Sequence, residues 1–189
     1  KNFKPWEGKC PSDFVVNFLG VFTRKDYMGI RLDLELNSTK NPSDLTSEEN
    51  FISTQYPDFH HGYFEDVSLL EAVIKAKDEF MMIELGAGIG HQVIKASAAI
   101  RAYHGPDFPY KFIAVEGEPT AYKWMQNHFT DNNVDPAHHE LIEAVVSDKD
   151  GSVLFEVGFP EGYGSFVVSP FRFITNPLRW VYRFIKRIH

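Results

Sequence analysis

Three glycines at alternate positions follow an acid in MMIELGAGIGH, residues 81–91: Glu84, then Gly86, Ala87, Gly88 and Gly90. Glycine weakens strand and helix interiors, so the cluster marks backbone that bends sharply or that a ligand approaches closely. A carboxylate two residues before the first glycine can reach a cationic group lying over the turn. A strand, a glycine-rich turn and a helix also form the usual seat of a dinucleotide, whose strict fingerprint is G-x-G-x-x-G. Here the third glycine arrives one residue early, and an acid beside a pyrophosphate is unhelpful. Two further acids close the next two apolar runs. Glu116 ends YKFIAVE, where a carboxylate can accept both hydroxyls of a ribose, each hydrogen bond to the charged group contributing roughly 1.5–3 kcal/mol. Glu143-Ala144 follows the third run and offers backbone groups and a small side chain to adenine. Asp148, just beyond, can meet the exocyclic amine. In order, the three strand ends suit the methionine, ribose and adenine of S-adenosylmethionine, whose ammonium and sulfonium both favour a nearby carboxylate.

These residues act together only if regular elements hold them. YFEDVSLLEAVIKA places Phe64, Val67, Leu70 and Val73 or Ile74 at helical spacing and leads to a strand over Phe80–Leu85. HQVIKASAAIRAY follows as a helix with Val93, Ala96, Ser97 and Ile100 on one face, stopped by Gly105-Pro106. YKFIAVE reads as a buried strand. TAYKWMQNHFTDNN reads as a helix capped by Thr120, with Tyr122, Met125 and Phe129 inward. DPAHH turns the chain, ELIEAVVS is a third strand, and DKDG is a tight turn into a fourth, SVLFEVG. This alternation predicts an α/β fold with parallel βαβ units and right-handed crossovers, ordered as the first half of a doubly wound sheet. Residues 1–62 are expected to form an irregular N-terminal extension with one strand-like run, Phe14 to Phe22. Residues 63–170 are expected to form the ligand-binding domain. Residues 171–189 are expected to end in a basic amphipathic helix: Asn176 caps it, Pro177 opens it, and Val181, Phe184, Ile185 and Ile188 share a face. Such a helix packs on its own domain or serves as an interfacial contact with a membrane surface or partner.

In IELGAGIG (83–90), VEGEPTAYKWMQNHFTDNN (115–133) and LIEAVVSDKDGSVLFEVG (141–158), the chain resembles the FkbM family of S-adenosylmethionine-dependent methyltransferases. The resemblance rests on Val-Glu followed by Pro119, Tyr122 and an Asn pair, and on a small-apolar-Ser-Asp run closed by Gly151. GYFEDVSLLEAV is similar to the lead-in helix of one subgroup, so the likeness spans residues 56–164. It implies a Rossmann-like methyltransferase fold and O-methylation of a small-molecule or glycan hydroxyl. It also implies that Glu84, Gly86 and Gly88 line the methionine end, that Glu116 takes the ribose, and that Ala144 lies by the adenine. Family members continue with a fourth core strand ending in an acid-x-acid-or-Gln-Gly-x-Glu motif, and none follows Gly158 here. The expectation is therefore an incomplete sheet, with the acceptor-selecting part outside this chain.

Bulk composition narrows the alternatives. The chain has 189 residues and a formal net charge of −7, which argues against nucleic acid as the main partner. From Val168 onward there is no acid, while Arg172, Arg179, Arg183, Lys186 and Arg187 are basic. Cys10 is the sole cysteine, so no internal disulfide forms, and a cytoplasmic setting is expected. The match of Asn37-Ser38-Thr39 to a glycosylation acceptor reads as chance. His60-His61 and His138-His139 read as surface residues, since adjacent side chains diverge and no third metal ligand sits at useful spacing. Tyr63 and Glu65 either fold over the methionine end or simply close the core. Trp6, Trp124 and Trp180 read as packing residues, and Gly162-Tyr163-Gly164 as an ordinary turn. Methyl transfer from a sulfonium is an in-line displacement that needs alignment, desolvation and sometimes a general base. No residue is assigned that role, and His91 qualifies by position alone. Two other readings stand beside the methyltransferase: a nicotinamide-dependent oxidoreductase, and a non-catalytic interaction module using the C-terminal helix.

Overall fold

The glycine turn sits at the end of β5 (Phe80–Leu85), an edge strand of a three-stranded parallel sheet whose strands lie in sequence order, β5, β6 (Tyr110–Glu116) and β7 (Glu140–Glu143). Helix α1 (Tyr63–Lys75) precedes them, α2 (His91–Tyr103) joins β5 to β6, and α3 (Pro119–Asp131) joins β6 to β7. The structure, a computed structural model, describes residues 2–27, 50–59, 62–147, 151, 153–156, 166–167 and 185–188. A mixed α/β fold with a parallel sheet flanked by helices agrees with the sequence reading and is compatible with a Rossmann-like core.

Strand alternation sorts the sheet into two faces. Phe80, Phe112 and Ala114 point into the core, where Val93, Ile94, Met125 and Phe129 meet them. Met81, Ile83 and Leu85 point the other way and are exposed, as is Ile142 beside Val115. Parallel sheets are ordinarily covered on both faces. Among the described residues only the first face is covered.

The helix faces differ in part from their spacing. In α1 the inward residues are Asp66, Leu69 and Val73, while Phe64 is 66% exposed and rests against Phe59 and Tyr63. Of the expected stripe, Val73 is fully buried and Leu70 and Ile74 pack against the core, while Phe64 falls outside it. In α2 every residue from Val93 to Ile100 is buried, not one face alone. That sandwiching buries Lys95, whose ammonium lies 3.1 Å from the Asp66 carboxylate of α1. In α3 the cap is Glu118, whose side chain accepts from the Ala121 N–H at 2.6 Å, and Pro119 opens the helix. Thr120 does not cap it.

The described part of the N-terminal segment is more regular than expected. It forms β1 (Glu7–Cys10), β2 (Phe14–Val16), β3 (Phe22–Arg24) and β4 (Asn50–Ser53), paired as β1-β4 and β2-β3. The expected single run from Phe14 to Phe22 is in fact two antiparallel strands around a turn at Gly20. Phe3, Phe18 and Val21 belong to the same core cluster as Ile94 and Phe112. Trp6 lies over the backbone of Gly8 and Gly20, where any Cβ would meet its ring within 2.7 Å. Trp124 stacks on Tyr27. Both tryptophans are packing residues, as their sequence context suggests.

Residues Val153–Glu156 (β8), Phe166–Val167 (β9) and Ile185–Ile188 (β10) form a separate antiparallel sheet, β10-β8-β9. The strand expected after DKDG is present. Ile185 to Ile188, expected as the last turn of the amphipathic helix, instead form a strand that pairs with β8. A strand partner overrides helical spacing in so short a segment. Asn176 to Phe184 and Gly162 to Gly164 lie outside the described residues, as does Trp180.

Candidate cofactor site

The turn after β5 is built by backbone that only glycine adopts freely. Gly86, Gly88 and Gly90 have φ of +69°, +56° and +73°. Their spacing lets the chain fold back on β6, where the Gly86 and Ala87 amides both donate to the Val115 carbonyl at 2.9 Å. Gly90 then closes on Ala87 at 2.7 Å and starts α2. The three glycines differ in surroundings. A Cβ on Gly90 would sit 3.0 Å from Met125 and 3.1 Å from Phe129, so Gly90 is needed for packing. A Cβ on Gly86 or Gly88 would meet nothing within 4 Å. Those two leave open space against bare backbone, the property a ligand seat requires. Ala87 is buried beneath them.

Glu116 ends β6 on the covered face and is 9% exposed. Its Oε2 accepts the Gly88 N–H at 2.7 Å, and its Oε1 accepts the Glu118 N–H at 2.6 Å. One carboxylate therefore ties the glycine turn to the start of α3. Each of its oxygens has a second lone pair, which leaves acceptor capacity for a pair of ribose hydroxyls. Glu118 is a residue the sequence reading missed. Its signal was there to find: an acid just before Pro119 at a helix start.

Glu84 lies near the end of β5, beside the start of α2. Its two oxygens accept the Gln92 and Val93 N–H groups of α2 at 3.3 and 3.1 Å. Burial pushes its carboxyl above the ordinary range, and the two N–H groups pull the other way. It thereby caps the start of α2 from the sheet.

The third strand end is brought close. Glu143 pairs with Glu116 in register, and the Ala144 N–H donates to the Glu116 carbonyl at 3.1 Å. Glu143 is exposed and Ala144 half-buried. Glu116, Glu143, Ala144 and the glycine turn thus share one end of the sheet. Asp148 lies outside the described residues. Among the described residues no group of His, Cys, Asp and Glu is arranged to hold a metal ion. His60 and His61 lie outside them. His139 is not a surface residue: it stacks on Phe112 and accepts the Phe112 N–H on Nδ1 at 3.2 Å, and burial lowers its pKa to about 4. His91 is the first residue of α2, Tyr63 opens α1 beside Phe59, and Glu65 is exposed. No helix among the described residues is long and apolar enough to cross a membrane.

Compared with protein-family models, with curated proteins and with solved structures, the chain has no match.

Proposed function

We propose that this chain binds S-adenosylmethionine as part of a class I methyltransferase of FkbM type, with a Rossmann-like fold and a hydroxyl acceptor on a small molecule or glycan. The observation that carries the choice is the division of work between two carboxylates. Glu116 stands at the sheet end with acceptor capacity, beside the open backbone of Gly86 and Gly88. Glu84 occupies the Gln92 and Val93 amides at the start of α2. A dinucleotide needs that helix terminus for its pyrophosphate. Here a carboxylate already neutralises it, which disfavours the oxidoreductase reading on firmer ground than glycine spacing.

When bound, S-adenosylmethionine supplies a methyl group on a sulfonium, ready for in-line displacement. The chain's own part is to bind and orient. Glu116 would accept the ribose hydroxyls, Gly86 and Gly88 would let backbone approach the methionine end, and Glu143 and Ala144 would border the adenine. The residue that activates the acceptor is not among them.

Calorimetric titration of S-adenosylmethionine and NADH tests this reading, with wild type beside Glu116→Ala. The expected outcome is binding of the first ligand only, weakened about 10- to 100-fold in the variant by loss of one or two charge-assisted bonds. Binding of NADH alone would transfer the site to the oxidoreductase reading.

A further inference from the structure

His128 is fully buried in α3 and joins two parts of the chain that are far apart in sequence. Its Nδ1 lies 2.9 Å from the Ile89 carbonyl inside the glycine turn. Its Nε2 lies 3.1 Å from the Thr23 hydroxyl of β3. A carbonyl only accepts, so Nδ1 carries the proton, and in the neutral ring Nε2 then accepts from the Thr23 O–H. The direction of the chain is thereby fixed: Thr23 donates to His128, and His128 donates to Ile89.

Two other links fasten the same hairpin to α3. Asn132 exchanges hydrogen bonds with the Phe22 backbone, its Nδ2 donating to the carbonyl and its Oδ1 accepting the N–H, both at 2.8 Å. Arg24 grips Asp131 with two bonds of 2.7 Å. Both stop at the helix. Of these three links, the Thr23–His128 link continues to the turn, one residue from Gly88 and Gly90.

We propose that His128 is a positioning residue, through which the N-terminal hairpin holds the glycine turn in the shape its ligand requires. The ligand half of this proposal rests on the S-adenosylmethionine reading. The conformational half does not. Ile89 lies between two glycines with positive φ, where backbone has most freedom to rearrange. A buried, singly protonated imidazole whose second nitrogen is also bonded has one orientation open to it. It therefore restrains the carbonyl it touches.

The test uses the full chain and four variants: Thr23→Val, His128→Asn, His128→Leu and, as control, Arg24→Ala. Native-state hydrogen exchange reads the Gly88 and Gly90 amides without ligand, and calorimetry reads S-adenosylhomocysteine binding. Thr23→Val, nearly isosteric, and His128→Leu should speed exchange at the turn beyond any change in the slowest core amides. Both should weaken binding about tenfold, the scale of one buried hydrogen bond. His128→Asn, whose amide can still donate to Ile89, should retain more of both properties. Arg24→Ala should move the turn no more than the core. If turn and core amides shift together in all four variants, His128 is an ordinary packing residue and the proposal is overturned. Turn exchange that responds as expected in a chain that binds no S-adenosylhomocysteine leaves the positioning role standing and removes the cofactor reading. Wild-type binding that neither Thr23→Val nor His128→Leu weakens removes the positioning role alone.

Discussion

Single side chains decide how the site behaves with pH. Burial lowers the pKa of His128 to about 4, with the charge of His91 acting in the same direction. The folded state thus holds the ring neutral, while the unfolded chain protonates it near its ordinary 6.5. Between those values the unfolded chain binds more protons, so stability from this group is full above pH 6.5 and is lost as pH falls toward 4. The whole effect is on the order of 3 kcal/mol. Urea unfolding of wild type and His128→Asn from pH 7.5 to 4.5 should show the wild-type advantage shrinking on acidification, and a constant difference would contradict it. Glu84 opposes this trend in wild type, because its raised pKa makes stability fall as pH rises above its ordinary value. Subtracting the variant removes that contribution. That Glu84, Glu116 and the glycines gather at one end of the parallel sheet was legible from spacing. Their partners were not. Whether an acid before a glycine turn faces a ligand or caps the helix eight residues on depends on which way its side chain leans, and spacing does not encode that.

At the scale of elements, the parallel strands and their helices were legible because apolar runs, glycines and caps recur at short range. The faces were less so. The inward side of α1 includes Asp66, which meets Lys95 of α2 at 3.1 Å with both side chains buried. Hydropathy alone points such a helix at its aromatic residues, and here Phe64 is left outside. Removing one partner of a buried ion pair typically costs about 3–5 kcal/mol, whereas replacing both by apolar groups is close to neutral. Asp66→Ala should accordingly lower the unfolding free energy by several kcal/mol in a urea titration, and Asp66→Leu with Lys95→Met should recover most of the loss. A single variant as stable as wild type would show that this contact does not join the two helices. The end of the chain teaches the converse. IKRI carries helical spacing with the residues before it, yet Ile185 to Ile188 lie as a strand against β8. Pairing with a distant segment is invisible to a local pattern.

The whole molecule is more tightly joined than its sequence suggests. Phe22 and Asn132 are 110 residues apart and share two hydrogen bonds. Phe3, Phe18 and Val21 complete the core around α2. Residues 2–27 are therefore part of the fold that carries the glycine turn. A chain lacking residues 1–27 should lose its cooperative thermal transition, and a truncated chain that melts as sharply as the full one would contradict this. On the proposed reading, the end of the parallel sheet seats S-adenosylmethionine. The most direct measurement is an amide-resolved magnetic resonance titration of the full chain with S-adenosylhomocysteine, read at Gly88, Gly90 and Glu118. Saturable shifts are expected at these three amides, lost or much weakened in Glu116→Ala. A folded chain whose Gly88, Gly90 and Glu118 signals do not move at millimolar ligand would contradict it.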